Sequence, residues 1–264
     1  MDLERICEQV CDLSFIVGNF IKQEVNKIGE KDVESKGLHN FVTYVDKQSQ
    51  NKLIQELSVI CPEAGYIAEE TTTKNKAERW NWIIDPLDGT TNFIHGVPCY
   101  CISIALTCED QLMLGVVYEI NQGECFYAWK DSPAFLNGHV INVSKRKTLN
   151  DSLLATGFPY YDYKQMPEYL RLFEHFMQHT SGVRRLGSAA ADLAYVACGR
   201  FEGFYEYSLS PWDVAAGALI VQQAGGKVID FKGGEDYIFG KQIIATNNLI
   251  FDEMKDVVKK FFNF

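Results

Sequence analysis

Leu3, Ile6, Val10, Leu13, Val17 and Phe20 recur at alternating steps of three and four. That spacing puts them on one stripe of an amphipathic helix, predicted to end near Gly29. A second helix is predicted in "VDKQSQNKLIQELSVICP", with Asp46 as its N-cap and Pro62 as a residue that cannot continue it. "GYIAEE" and "WNWIID" are then short apolar runs, each ending in carboxylates. From Tyr100 to Lys130 the runs "YCISIALTC", "LMLGVVYEI" and "ECFYAWK" are separated by Glu109-Asp110 and by "NQG", which predicts an antiparallel meander. "LLATGF" is a further strand. Helices are predicted in "MPEYLRLFEHFMQH", "SAAADLAYVAC" and "WDVAAGALIVQQA", and they alternate with strands in "GRFEGFYEY", "GGKVID" and "KQIIAT". A last helix starts at about Leu249. This mixture predicts a layered α+β or α/β protein. No linker or internal repeat divides it. One domain over 1–264 is expected, with an N-terminal α+β subdomain over about 1–150 and a C-terminal α/β subdomain over about 151–264.

Composition narrows the class. Hydrophobic residues make up 47% of the 264 residues and charged residues 23%, which fits a soluble globular chain. The net charge of -10 argues against non-specific binding to nucleic acid or to an anionic membrane. No apolar run reaches the roughly 18 residues of a spanning helix. The start "MDLERICEQV" has no basic segment before an apolar core, so no secretory signal is expected and the expected location is the cytoplasm. The eight cysteines are then read as reduced thiols. Cys99 and Cys101 fall on one face of a strand, as small buried residues do.

The chemistry concentrates in "WIIDPLDGTTNF". Trp82, Ile83 and Ile84 predict a buried strand that delivers Asp85 to its end. Pro86 stiffens the turn and Gly89 permits unusual backbone angles. Thr90 and Thr91 follow where a helix could begin, with N–H groups suited to a phosphate. Two carboxylates beside such a site repel a phosphate unless cations intervene, and hard oxygen ligands suit magnesium or manganese. Glu69 and Glu70 end the preceding strand. Asp213, in "SPWDVAAGAL", opens a helix, where a carboxylate also serves as an ordinary first-turn residue.

Other motifs carry less. Phosphatases with an aspartate nucleophile need acids two residues apart, whereas Asp85 and Asp88 are three apart. His175 and His179 are four apart, yet "FMQ" between them lacks the glutamate of a zinc protease. "GGKV" lacks the Ser or Thr of a phosphate-binding loop. The small residues of "GSAAADLAY" suit helix packing as well as an anion site.

"WIIDPLDGTTNF" and "PWDVAAGALIVQQAGG" resemble the two signature segments of the inositol monophosphatase family, the lithium-sensitive, magnesium-dependent phosphatases. "IAEE" and "RRLGSAAADLAYVACGRFEGFYE" match as well, so the resemblance spans most of the chain. It implies an αβαβα sandwich and a homodimer. It implies hydrolysis of a small polyol or sugar phosphate, with myo-inositol monophosphate favoured, by water activated on two or three Mg2+ ions. Fructose 1,6-bisphosphate and 3′-phosphoadenosine 5′-phosphate are alternative substrates, and a non-catalytic regulatory protein of the same fold is an alternative of another class. By resemblance, Glu69 holds the first metal and contacts the attacking water, and Asp85 bridges two metals. Leu87 contributes its carbonyl, and Asp88 and Asp213 hold the second metal. Gly89 and Thr90 bind phosphate, with the Thr90 hydroxyl orienting water. Asp88, Asp213, Gly187, Ser188, Ala189 and Glu206 lie beside the substrate. Lys36 and Asp46 resemble residues near an optional third metal. Where the animal enzymes place a ring-contacting serine, this chain has Phe158, a departure that bears on substrate choice.

Overall fold

A computed structural model of the chain describes residues 1–25, 27–37, 40–70, 76–159 and 162–262. Helix α1 (Leu3–Glu24) starts on Asp2, whose side chain accepts the Arg5 N–H, and buries Ile6, Val10, Leu13 and Val17 as its stripe predicts. It stops at Glu24, before Gly29. There the Glu24 carboxylate accepts from Lys27 and from the Tyr44 hydroxyl, and its carbonyl takes the Lys27 N–H, which turns the chain away. A two-stranded antiparallel hairpin of β1 (Val33–Gly37) and β2 (Asn40–Thr43) follows, with no strand periodicity in its sequence. Helix α2 (Tyr44–Ile60) is capped by Thr43 and not by Asp46. The Thr43 Oγ1 accepts the Val45 N–H, while Asp46, one turn in, accepts the Thr43 N–H at 2.8 Å. This reciprocal capping box moves the helix start three residues back from the predicted cap.

The strands β3 (Gly65–Ala68) and β4 (Trp80–Asp88) lead into the short α3 (Thr90–Ile94). The predicted meander is β5 (Cys101–Cys108), β6 (Gln111–Glu119) and β7 (Glu124–Trp129), extended by the small β8 (Ala134–Leu136) and β9 (His139–Ile141). The second half comprises β10 (Leu153–Thr156), α4 (Met166–His179), β11 (Gly182–Arg184), α5 (Ala189–Ala197) and β12 (Gly203–Tyr207). It continues through α6 (Pro211–Gln223), β13 (Lys227–Ile229), β14 (Gln242–Thr246) and α7 (Phe251–Phe262). Among the described residues β3 to β9 form one seven-stranded sheet in sequence order, parallel only at β3–β4. The other large sheet runs β11-β10-β12-β14-β13, with β10 parallel to both its neighbours. No helix among the described residues is long and apolar enough to cross a membrane.

Five layers result: α1 with α2, the seven-stranded sheet, α5 with α6, the five-stranded sheet, and α4 with α7. The αβαβα sandwich is thus the fold. Strand alternation sorts the core: Trp82 and Ile84 pack toward α1 and α2, while Ile83 between them packs toward α5 and α6. The middle layer is thin because its faces are small. Ala105, Gly115 and Ala128 are direct neighbours across β5, β6 and β7. A Cβ on Gly115 would stand 2.6 Å from the Ala216 carbonyl oxygen, so helix α6 lies directly on the sheet. The Ser103 hydroxyl, donating to the Trp212 carbonyl at 2.9 Å, pins the start of α6 to β5. This contact sets Asp213 over the strand ends that carry the other carboxylates.

Candidate active site

The register of β4 against β5 slips between Asp85 and Asp88, and this bulge turns both carboxylates out of the ladder at the strand's end. Asp85 Oδ1 accepts the Leu87 N–H at 2.9 Å. Asp88 Oδ2 accepts the Ser188 hydroxyl at 2.6 Å and the Ala190 N–H at 2.8 Å, so this carboxylate itself occupies the start of α5. Asp213 Oδ2 accepts the Ser210 N–H at 2.7 Å and closes the capping box of α6. Asp85 and Asp213 each spend one oxygen on local backbone and Asp88 spends one on the start of α5, so each has a second to offer. Asp85, Asp88 and Asp213 each place a ligand atom within 4.8 Å of the others, although Asp213 comes from a different layer. Hard, anionic oxygens converging at that separation fit a small divalent cation.

The three acids open into a cavity of about 260 Å³. Glu69, Leu87, Gly89, Thr90, Gly187, Ser188, Ala189 and Glu206, which the resemblance assigns to metal, catalytic or substrate roles, line it with the three aspartates. Gly89 sits at φ 96°, in the left-handed region, and a side chain there would meet the Cys99 carbonyl oxygen at 3.0 Å. Helix α3 is a single turn. The Thr90 hydroxyl lies 2.9 Å from Asp46 Oδ1 and 3.0 Å from the Leu87 carbonyl oxygen, and has one proton for these two acceptors. Asp46, read from sequence as a helix cap and as an outlying acid, is a buried part of this network: its Oδ2 also accepts the Thr43 hydroxyl at 2.6 Å. The Lys36 side chain lies outside the described residues.

Phe158 does not line the cavity. Its ring is 42% exposed and packs edge-on against Tyr169 and Phe173, with the Arg185 guanidinium 5.6 Å from its centroid. Gly157 lines the cavity in its place, and a Cβ there would lie 2.1 Å from both Glu206 carboxylate oxygens. Sequence reasoning also passed over Arg185 and Asp192, which line the cavity too. The signal for Asp192 was a charge set inside the otherwise small and apolar "LGSAAADLAY" segment, which Arg185 directly precedes. Asn92 was missed as well. It donates to the carbonyls of Cys99 and Leu186, at 2.8 Å each, and ties the two cavity walls together.

Burial dominates the electrostatics. Asp85, 2% exposed, is pushed well above the usual carboxylate range by desolvation and then by Glu69, Asp88 and Asp213. Asp213 moves the same way, through burial and Asp88. Asp88 rises from 3.8 to about 6, because burial outweighs its hydrogen bonds from Ser188 and Ala190. Without a cation the folded protein thus holds protons that the unfolded chain releases above about pH 4. The folded state then binds more protons than the unfolded one, so stability falls as pH rises from about 4 through 6 and beyond. For Asp88 alone the loss is on the order of 3 kcal/mol. Thermal unfolding in chelator should show a melting temperature that drops between pH 4 and 8, with the drop reversed by magnesium. A rise across that window would contradict the assigned burial of these charges.

Comparison with known proteins matches nearly the whole chain. The model of the "Inositol monophosphatase family" matches residues 2–259. The "Putative Nus factor SuhB" of Neisseria meningitidis serogroup B is 40% identical over 242 residues, covering 91% of this chain and 93% of that protein. An "Inositol-1-monophosphatase" of Mesorhizobium japonicum is 37% identical over 244 residues, covering 92% of each chain. Among solved structures, the extragenic suppressor protein suhB of Bartonella henselae superposes with a TM-score of 0.91 at 37% identity, covering 98% of this chain and 99% of its own.

Proposed function

The chain belongs to the inositol monophosphatase family, and on that premise we propose that it is a magnesium-dependent phosphomonoesterase hydrolysing a small polyol phosphate, myo-inositol monophosphate above all. The observation that carries this reading is the convergence of Asp85, Asp88 and Asp213 within 4.8 Å in a cavity also lined by the hydroxyls of Thr90, Thr91 and Ser188. Glu69, Asp85, the Leu87 carbonyl, Asp88 and Asp213 are the residues that would hold Mg2+. Bound there, such ions supply a water acidic enough to attack near neutral pH and a counter-charge for the departing oxygen.

The chain's own groups do the rest. Gly89, Thr90 and Thr91 offer backbone N–H groups at the mouth of α3 to a phosphate. When the Thr90 hydroxyl donates to Asp46, its lone pairs are left to accept a hydrogen bond from an attacking water and orient it, and Asp46 holds that orientation from within the core. Glu206 and the Gly187–Ala189 segment face the alcohol that leaves. A protein nucleophile is unnecessary in this scheme. The family also leads us to propose lithium sensitivity and a homodimer.

The neisserial relative's name supports a second reading, a non-catalytic regulatory protein. The full set of carboxylates with Thr90 favours catalysis. Phosphate release from myo-inositol 1-phosphate, fructose 1,6-bisphosphate and 3′-phosphoadenosine 5′-phosphate, with and without magnesium, separates the two. The expected result is release fastest from the inositol ester, reduced to background by exhaustive chelation and restored by magnesium. Full activity in chelator would end the metal reading, and none on any ester would leave the regulatory one.

A further inference from the structure

Asp192 is a buried carboxylate that none of the roles above uses. It stands on α5, one turn beyond Ser188, and is 1% exposed. Its Oδ1 is closed off from solvent and has no hydrogen-bond partner among the described residues. Buried acceptors are nearly always satisfied, and leaving one unmet costs roughly 1–3 kcal/mol. Beside a cavity, a molecule bound there can supply the missing donor. Asp192 lines the same cavity as the metal carboxylates. Glu206 lines it too, from β12, and the two carboxylates act on each other electrostatically. Arg185 stabilises the charge of both. Gly157 leaves the Glu206 side uncovered by any side chain of its own.

We propose that Asp192 is a second hydroxyl-reading carboxylate, which accepts a hydrogen bond from the polyol leaving group beside Glu206. This rests on the phosphatase reading and extends it to the chemistry of the leaving group. Two carboxylates facing one guanidinium leave that corner acidic. It suits a neutral group bearing several hydroxyls and disfavours one bearing a second phosphate. A hydroxyl also meets a carboxyl in either protonation state, since it both donates and accepts.

The test compares wild type, Asp192→Asn and Asp192→Ala on myo-inositol 1-phosphate and on 4-nitrophenyl phosphate, whose leaving group carries no further hydroxyl. Asp192→Asn should lower kcat/KM for the inositol ester by about 10- to 100-fold and change the aryl ester by less than about threefold. Asp192→Ala should shift the same ratio at least as far, and Glu206→Gln should shift it in parallel. An equal loss on both esters would assign Asp192 to the structural frame and overturn the proposal, and so would no loss on either. A wild type inactive on both esters would overturn the phosphatase reading instead. Calorimetric binding of myo-inositol alone then decides the subsite. Loss of that binding in Asp192→Asn upholds it. Undiminished binding in the variant, or none in the wild type, overturns it.

Discussion

Asp213→Asn should lower the magnesium-dependent rate about a hundredfold while the metal-free protein melts no lower than wild type. The two halves of this result have different causes. The amide keeps an oxygen for the Ser210 N–H, so the capping box of α6 survives. It removes one of three carboxyl groups crowded within 4.8 Å, whose burial and mutual repulsion already make the charged forms unfavourable when no cation is present. With magnesium the same change removes an anionic ligand, and counter-charge for the leaving oxygen is worth several kcal/mol. A loss of about 3 kcal/mol corresponds to roughly a hundredfold in rate. Activity titrated against magnesium, beside thermal unfolding in chelator, checks both halves. Near-wild-type activity at limiting magnesium would reduce Asp213 to a helix cap.

Gly115→Val should act from the other side, through packing alone. A side chain at Gly115 points at the Ala216 backbone, 2.6 Å from its carbonyl oxygen, and a backbone cannot swing away as a side-chain end can. Overpacking of this kind costs about 1–3 kcal/mol. Helix α6 must lift or the sheet must bend, so the upper end of that range is expected. For a chain of this size about 3 kcal/mol lowers the melting temperature by roughly 6–12 °C. Because α6 carries Asp213, the variant should also need more magnesium for half-maximal activity, although residue 115 touches no carboxylate of the site. An unchanged melting temperature would show that the close fit of sheet and helix is not what holds the middle layer.

Much of this was legible in the chain because it depended on local periodicity. The meander from Tyr100 to Lys130 consists of apolar runs divided by Glu109-Asp110 and "NQG", and its strands form as read. The strand-end positions of Glu69, Asp85 and Asp88 followed from apolar runs stopping in acids, and those acids do share one cavity. What stayed hidden depended on distant partners. The hairpin of β1 and β2 is five and four residues long, and its pairing rather than its pattern defines it. The N-cap of α2 was misread because Asp46 looked like the cap, although "TYVD" holds the spacing of a reciprocal box. Asp192 lay inside a helix of small residues, where spacing cannot reveal what waits across the cavity. Phe158 was placed by its neighbour: one residue along a strand end reverses the direction of a side chain, and Gly157 faces inward instead.

The position of Asp213 in the middle layer also bears on the order of folding. Asp85 and Asp88 can come to their strand end as soon as the first sheet pairs, since β4 and β5 are joined by a short connection. Asp213 arrives only when α6 docks, after a long stretch of chain has been brought back. The full charge cluster therefore does not exist in the early, loosely docked states, and its repulsion enters late on the folding route. A divalent cation held by all three acids has nothing to grip before that step. It acts on the way out rather than on the way in, slowing the escape from the native state while leaving the speed of its formation nearly untouched.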